Sequence, residues 1–325
     1  MSRIHEALKK AAQERSTQIA AGPDGDVSDV SVLDRRPLEA EASIASLVAQ
    51  PPVSGGGNQT GPVRYEELVK RCVHRTWELN VRSNIFQGSS TVGNAAAERF
   101  RTLRSRLYQI ASTRTLRRIL VTSSVDAEGK TFVTSNLARS MVQQAERRVL
   151  MIDADLRAPR LHVALGAPSR PGLADYLRGE VSEYAAIQKS TQENLFLIPS
   201  GGIVSNPSEL LLSERMKRLL HSMTDMFDWI IIDSPPALPV HDASILADLT
   251  DGVLLVVRAG STDVEAVEKV AGEFREKNLL GVVLNGVEKA DDSGSYYYSG
   301  YGPESSEKEL IVPSAQDRSI GDEAS

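Results

Sequence analysis

The sequence predicts an α/β fold with a doubly wound, mostly parallel sheet. Two observations support this: short apolar runs recur through the middle of the chain, and helical patterns separate them. Runs that are apolar on both faces are typical of buried parallel strands, because helices cover both faces of such a sheet. Strands that alternate with helices indicate the doubly wound class. The predicted strands are Ile119–Ser123, Val149–Asp153, Leu195–Ser200, Trp229–Asp233, Gly252–Val257 and Gly281–Asn285.

The chain divides by composition into a folded middle and two polar ends. Periodic structure begins near Asn94, where Phe100, Leu103 and Leu107 lie on one stripe of a predicted helix, and it stops after Val287. The first residues have helical spacing that fits either a docking segment or a marginal helix without function. The predicted regions are an amphipathic segment 1–18, a disordered linker 19–62, an unassigned lead-in 63–93, a folded domain 94–287 and a flexible tail 288–325.

Composition excludes several classes of protein. The 325 residues include 37 basic and 43 acidic side chains, a net charge of −6 that argues against a nucleic-acid-binding protein. A single cysteine permits no internal disulfide and fits a reducing cytoplasm. The sequence has no apolar run near the roughly 18 residues that cross a bilayer. We therefore expect a cytoplasmic protein whose membrane contact goes through a partner.

The strongest motif follows the first predicted strand. The stretch SSVDAEGKT places Gly129, Lys130 and Thr131 between that strand and a helix, which is the order of a phosphate-binding P-loop. Backbone N–H groups at a helix start attract phosphate, lysine can reach the β- and γ-phosphates, and the threonine hydroxyl can ligate Mg²⁺. The sequence departs from the usual pattern at Ser124, where a glycine is expected. A turn of small residues before a helix is the alternative interpretation.

Acidic residues follow two other predicted strands. Asp153, Asp155 and Arg157 come at the end of one strand, and Asp233 ends another. In open α/β sheets the ligand lies outside the carboxyl ends of the strands, so these groups should converge with Lys130. Such carboxylates can hold Mg²⁺ or accept a proton from an attacking hydroxyl. A helix cap or a turn would explain any one of them alone.

Together these three motifs resemble those of the bacterial tyrosine kinases, which are tied to capsule and exopolysaccharide synthesis and export. The resemblance covers about residues 95–301 and implies a P-loop NTPase fold like that of the partitioning ATPases. Those wider relatives carry a second lysine early in the loop, where this chain has Val125. The difference favours an ATP-dependent protein tyrosine autokinase. A nucleotide-switched partitioning ATPase, which positions cargo without kinase activity, is the alternative.

The resemblance implies ATP and Mg²⁺ as cofactors and assigns roles in the loop. Lys130 would act in catalysis and bind phosphate, and Thr131 would bind phosphate and metal. The implied nucleotide-binding residues of the loop are Glu128, Gly129, Lys130, Thr131 and Phe132.

The resemblance also assigns roles at the strand ends. Asp153 would be the base for the tyrosine hydroxyl, Asp155 would assist the metal or the base, and Asp233 would hold the metal's water shell. Arg157 would contact phosphate or order its loop. Asn285 would contact adenine, although a turn-forming asparagine explains that position equally well.

Two further features suggest assembly. Glu98, Arg101 and Arg104 share one face of a predicted helix, and in the family such a motif implies self-association into a ring. Read alone, it is a solvated charged face. In the tail, four of the eight tyrosines lie within six positions, a composition that fits either local bias or phosphoacceptors reached by a neighbouring subunit. These are Tyr296, Tyr297, Tyr298 and Tyr301.

The family's N-terminal membrane-spanning domain has no counterpart in this sequence. The resemblance therefore implies a separate membrane adaptor, a chain-length regulator of polysaccharide export, that activates the kinase. We expect the kinase to be cytoplasmic and peripheral at the inner face of the plasma membrane. Segment 1–18 is a candidate contact to the adaptor.

Overall fold

The computed structural model of the chain describes residues 64–78, 85–86, 91–144, 146–191 and 193–287. The predicted segment 1–18, linker 19–62 and tail 288–325 lie outside these residues, and so do the four tail tyrosines. Within the described residues, none of the helices is both long and apolar enough to cross a bilayer.

Ten helices and eight strands are present in the described part of the chain. The helices are α1 (Tyr65–Arg71), α2 (Thr91–Thr113), α3 (Lys130–Val142), α4 (Leu161–Leu165), α5 (Leu173–Leu177), α6 (Glu183–Ala186), α7 (Pro207–Leu212), α8 (Glu214–Thr224), α9 (Asp242–Ala247) and α10 (Val264–Arg275). The strands are β1 (Val73–Arg75), β2 (Arg118–Ser123), β3 (Val149–Asp153), β4 (Gln188–Ser190), β5 (Leu195–Ile198), β6 (Trp229–Asp233), β7 (Gly252–Arg258) and β8 (Leu279–Asn285).

All eight strands form one sheet in the order β1-β4-β5-β3-β6-β2-β7-β8. Neighbouring strands are parallel except β4 and β5, which pair antiparallel. The predicted α/β class and all six predicted strands are therefore confirmed. The additional strands β1 and β4 have three residues each, too short for the periodic pattern that reveals a strand in a sequence. Through β1, part of the unassigned lead-in 63–93 joins the sheet.

Apolar side chains cover both faces of the central strands. Leu120, Leu150 and Ile230 are buried in a cluster on one face, with helices α8 and α10. Ile119 and Met151 are buried in a second cluster on the other face, with α2 and α3. Successive strand residues point to opposite faces, so burial of both sets explains why these strands read as continuous apolar runs.

Most of the strands start at the same end of the sheet and finish at the other, and these two ends have different roles. Strands β2, β3, β5, β6, β7 and β8 run in the same direction, so the segments that follow them meet at one end of the sheet, here called the carboxyl edge. The starts of the same strands form the opposite end, here called the amino edge. All the catalytic residues predicted from the sequence lie at the carboxyl edge.

Candidate active site

The loop between β2 and α3 has the conformation of a P-loop. Gly129 has φ +95°, and α3 begins at the next residue. A Cβ atom on Gly129 would lie 2.0 Å from Nδ2 of Asn285, so both the backbone angle and the space require glycine. The first N–H groups of α3 have no partner within the helix and are suited to an anion.

The departure at Ser124 is accommodated by packing. Ser124 is fully buried, and its carbonyl oxygen accepts a hydrogen bond of 3.2 Å from the N–H of Leu238, in the segment that follows β6. The Ser124 hydroxyl is buried and makes no hydrogen bond within the described residues, so the loop accommodates a serine where the usual pattern has glycine.

Lys130 and Thr131 begin α3 next to Asp233. Lys130 is only 8% exposed, yet its ammonium group makes no hydrogen bond or ion pair within the described residues. Buried lysines are normally paired, so this one is suited to bind an anion. The Thr131 hydroxyl donates a 2.6 Å hydrogen bond to Oδ2 of Asp233, and the Thr134 hydroxyl donates one of 3.2 Å to its Oδ1.

Asp153 and Asp233 are register partners at the ends of neighbouring strands β3 and β6. Burial raises the pKa of Asp233 to about 7, although the hydrogen bond from Thr131 and the charge of Lys130 act against the shift. Burial, reinforced by the charge of Asp233, raises the pKa of Asp153 well above its ordinary value. Its Oδ2 accepts a 3.1 Å hydrogen bond from the N–H of Leu161, but its Oδ1 has no partner within the described residues.

Asp155 closes a turn directly after β3. Its Oδ1 accepts hydrogen bonds from the N–H groups of Ala158, at 2.9 Å, and Arg157, at 3.3 Å. Its charge contributes to the raised pKa values of Asp153 and Asp233, so the three carboxylates interact. The structure thus brings together five residues predicted from the sequence: Lys130, Thr131, Asp153, Asp155 and Asp233.

Arg157 and Asn285 make contacts within the protein. The Arg157 guanidinium donates two hydrogen bonds to the Asp242 carboxylate, through Nε at 2.7 Å and Nη2 at 3.1 Å. Of the two roles predicted for Arg157, ordering its loop matches this contact. The Asn285 amide donates a 2.8 Å hydrogen bond to the carbonyl oxygen of Glu128 and lies against Gly129, so its contact is with the P-loop.

The side chains of Glu128 and Phe132 are also used inside the protein. The Glu128 carboxylate is 1% exposed and accepts hydrogen bonds from the N–H of Val125, at 2.8 Å, and the hydroxyl of Thr262. The Phe132 ring packs edge-on against Phe100, with 6.0 Å between centroids. A contribution of either residue to nucleotide binding would therefore come from its backbone.

The charged motif on α2 does not form one free face. Glu98 and Arg101 make an exposed ion pair of 2.9 Å, as their spacing predicts. Arg104 instead donates a hydrogen bond to the carbonyl oxygen of Ser140 on α3. The reason is that α2 packs beside α3, and an unpaired carbonyl near the end of α3 is within reach of this side chain.

Three polar residues of the site were not predicted from the sequence. Thr134 lies one helical turn after Thr131, so its spacing within α3 could have revealed it. Asp242 and Ser208 have no such signal, because each is distant in sequence from the Arg157 side chain that it contacts.

The donor set fits a nucleotide with a divalent metal ion. The helix start and Lys130 suit phosphate, and oxygen atoms of Thr131, Asp155 and Asp233 suit a hard cation. No group of three His, Cys, Asp or Glu side chains in the described residues is placed to hold a metal ion by itself. A metal would therefore need phosphate and water oxygens as well, which is how Mg²⁺ commonly binds in such sites.

Comparisons with known proteins agree with this geometry. A family model described as an AAA domain matches residues 118–277. The tyrosine-protein kinase YwqD of Bacillus subtilis (strain 168) is 36% identical over 204 residues, which cover 62% of this chain and 86% of that protein. The tyrosine-protein kinase etk of Escherichia coli (strain K12) is 35% identical over 219 residues, which cover 66% of this chain and 30% of that protein.

Solved structures extend the comparison to the fold. The chimerical protein CapA2B2 is similar with a TM-score of 0.59 and 30% identity, covering 65% of this chain and 92% of that one. The kinase domain of the Escherichia coli tyrosine kinase ETK has a TM-score of 0.56 and 35% identity, covering 59% of this chain and 76% of that one. Because the alignment extends over most of the Bacillus subtilis kinase, the chain belongs to the bacterial tyrosine-protein kinases of the P-loop ATPase superfamily and is a protein-tyrosine kinase.

Proposed function

We propose that this tyrosine kinase transfers the γ-phosphoryl group of ATP, with Mg²⁺, to tyrosines of its own C-terminal cluster in a neighbouring subunit. The observation that carries the proposal is the pair of buried aspartates, Asp153 and Asp233, beside a P-loop lysine that has no partner in the described residues. Carboxylates with raised pKa values are typical of groups that exchange protons or hold cations. P-loops of this family bind a nucleotide with a divalent metal ion.

Each residue of the site has a defined task in the proposed reaction. Bound ATP would supply the phosphoryl group, and a bound metal ion would supply positive charge to neutralise it. Lys130 and the N–H groups at the start of α3 would bind and orient the phosphates. Thr131 and Asp233 would hold the metal, with Asp155 as a further oxygen donor. Asp153 accepts the proton from the tyrosine hydroxyl as the oxygen–phosphorus bond forms and the bond to ADP breaks.

Asp153 is suited to this proton transfer because its carboxylate is a stronger base than usual. Burial and the neighbouring charge of Asp233 raise the pKa of Asp153, so a proton bound there is held more tightly. Its Oδ1 is buried and makes no hydrogen bond in the described residues, so that oxygen has unused capacity to accept one.

The proposed acceptors are Tyr296, Tyr297, Tyr298 and Tyr301. Sequence supports them: half of the tyrosines lie here, among Ser, Gly and acidic residues that do not build an apolar core. Transfer in trans requires an assembly, and the exposed Glu98–Arg101 pair on α2 is available to a second copy. The family resemblance further supports a ring-like homo-oligomer, a membrane adaptor and regulation of exopolysaccharide or capsule production and export.

The proposal is tested by incubating the full chain with γ-labelled ATP, Mg²⁺ and the cytoplasmic segment of the adaptor. We expect label on tyrosine that disappears in Lys130→Met, because the phosphates lose the buried ammonium group at the start of α3. Lys217→Met is the matched control, since Lys217 is an exposed residue paired with Glu214 on α8. Replacing all four tail tyrosines with Phe should remove most of the label while ATP binding is kept. ATP hydrolysis without protein-bound label would contradict the proposal and favour a nucleotide-switched ATPase.

A further inference from the structure

A buried carboxylate outside the reacting groups connects three loops of the carboxyl edge. Asp242, the first residue of α9, is fully buried. It accepts two hydrogen bonds from the Arg157 guanidinium and a third from the Ser208 hydroxyl. Arg157 also donates to the Ser208 hydroxyl oxygen at 3.2 Å. The three side chains therefore form a closed hydrogen-bonded group.

The members of this group come from adjacent positions in the sheet. Arg157 lies in the segment after β3, Ser208 in the helix after β5, and Asp242 at the end of the segment after β6. Strands β5, β3 and β6 are consecutive in the sheet. The hydrogen bonds thus join the segments that follow three neighbouring strands. Two of these loops begin directly after the aspartates Asp153 and Asp233.

The contact also determines where the Arg157 side chain lies relative to Asp155. The N–H of Arg157 closes the turn of Asp155, and the two charges are near enough to interact. If Asp242 did not hold it, the guanidinium would be a mobile cation whose charge interacts with Asp155, and it would compete there with a metal ion. A bidentate carboxylate–guanidinium contact is well suited to prevent this, because two parallel hydrogen bonds fix both distance and orientation.

We infer that Asp242 is a positioning residue for phosphoryl transfer: by holding Arg157, it fixes the loop after β3 and keeps the Asp155 carboxylate free for the metal. Asp242 itself touches no reacting atom in this arrangement. Ser208 supports it by donating a third hydrogen bond to this fully buried carboxylate. The inference rests on the proposed kinase reaction for its catalytic consequence, but the order of the loop can be measured without that reaction.

The first test is hydrogen–deuterium exchange on the full chain, comparing wild type, Asp242→Asn and Asp251→Asn. The Asn side chain places an N–H₂ group where one Arg157 donor needs an acceptor, so the bidentate contact is lost. We expect exchange of the amides in residues 155–158 to rise about tenfold or more, because the turn of Asp155 opens more often. Asp251 is the matched control: it is also paired with an arginine, Arg118, but it lies at the amino edge. Unchanged exchange at 155–158 in Asp242→Asn would overturn the inference, whatever the kinase assay shows.

The second test separates positioning from a structural role. In Asp242→Asn we expect kcat for autophosphorylation to fall about 10- to 100-fold, while the Kd for nucleotide measured without Mg²⁺ changes less than about threefold. Arg157→Lys should reproduce the effect in part, because it keeps the positive charge but loses the bidentate geometry. This variant also replaces Asp242→Asn in the test if Asp242→Asn does not fold. The kcat of the double variant, Asp242→Asn with Arg157→Lys, should be no lower than that of the slower single variant. Additive losses, or a lowered melting temperature with unchanged kcat, would contradict action through Arg157.

Discussion

Aspartates lie at both edges of the central sheet, but their surroundings are opposite. At the carboxyl edge, Asp153 and Asp233 are buried side by side with no arginine partner in the described residues, and burial raises both pKa values. At the amino edge, Asp251 pairs with Arg118 at 2.7 Å and also accepts the backbone N–H groups of Arg117 and Arg118. Burial alone would raise the pKa of Asp251, but these hydrogen bonds outweigh the effect of burial. The pKa of Asp251 therefore lies below its ordinary value.

The difference shows how one residue type serves two purposes in one sheet. A carboxylate that is hydrogen-bonded and paired favours its charged form and stabilises the fold. A carboxylate buried without an ion-pair partner is costly to the fold and is suited to a cation or a proton that arrives during function. The amino edge therefore contributes stability, and the carboxyl edge keeps reactive groups that lower it. Substitutions at the two edges should separate activity from stability.

The largest effect is expected for Asp153→Asn. Removing the proton acceptor should lower the autophosphorylation rate about 10²- to 10⁴-fold, the usual contribution of a general base. The free energy of unfolding at pH 8 should stay within about 1 kcal/mol of wild type or rise, because a neutral amide is less costly to bury than a carboxyl group without an ion-pair partner. Both are measured on the same preparation, by phosphotyrosine formation and by urea unfolding. A variant that keeps more than a tenth of the wild-type rate would show that Asp153 is not the base.

Asp251→Asn should give the reverse pattern. It weakens the ion pair with Arg118 and the hydrogen bonds to two backbone N–H groups, so the unfolding free energy should fall by about 1–3 kcal/mol. The kcat of the folded protein should remain within about twofold of wild type, because the amino edge is remote from the P-loop. Urea unfolding and the kinase assay provide the two values. Loss of activity without loss of stability would undo the distinction between the two edges.

The last prediction concerns pH. The pKa of Asp233 is about 7 in the folded chain and near 3.8 in an unfolded one, so the folded state binds more protons between these values. The unfolding free energy should therefore fall as pH rises from about 4 to 7 through this group, whereas Asp251, with its lowered pKa, loses stability as pH falls. Urea unfolding without Mg²⁺ or nucleotide should show a shallower fall in Asp233→Asn. Parallel wild-type and variant curves would contradict the raised pKa.

Much of the fold could be predicted because its signals are local. Each of the six predicted strands is an apolar run: five are buried on both faces, and β8, at the end of the strand order, is half-buried. The P-loop has its order of strand, glycine, lysine and helix within a dozen residues. Strands β1 and β4 were not predictable, since three polar or mixed residues gain their conformation from the neighbour with which they pair. The convergence of Lys130 with the strand-end aspartates followed from a general property of parallel sheets.

The sequence by itself determined the fold class, the P-loop and the types of residue available at the carboxyl edge. Only the tertiary structure decided which partners those residues have. Arg157 meets Asp242 across 85 positions and Ser208 across 51, and Arg104 reaches a carbonyl oxygen 36 residues away. Likewise, Asp153 and Asp251 are the same type of amino acid, and their opposite pKa shifts arise from burial and from the neighbours that the fold brings to each. The physical reason is that periodicity and motif spacing encode local conformation, whereas charge environment depends on contacts between distant segments.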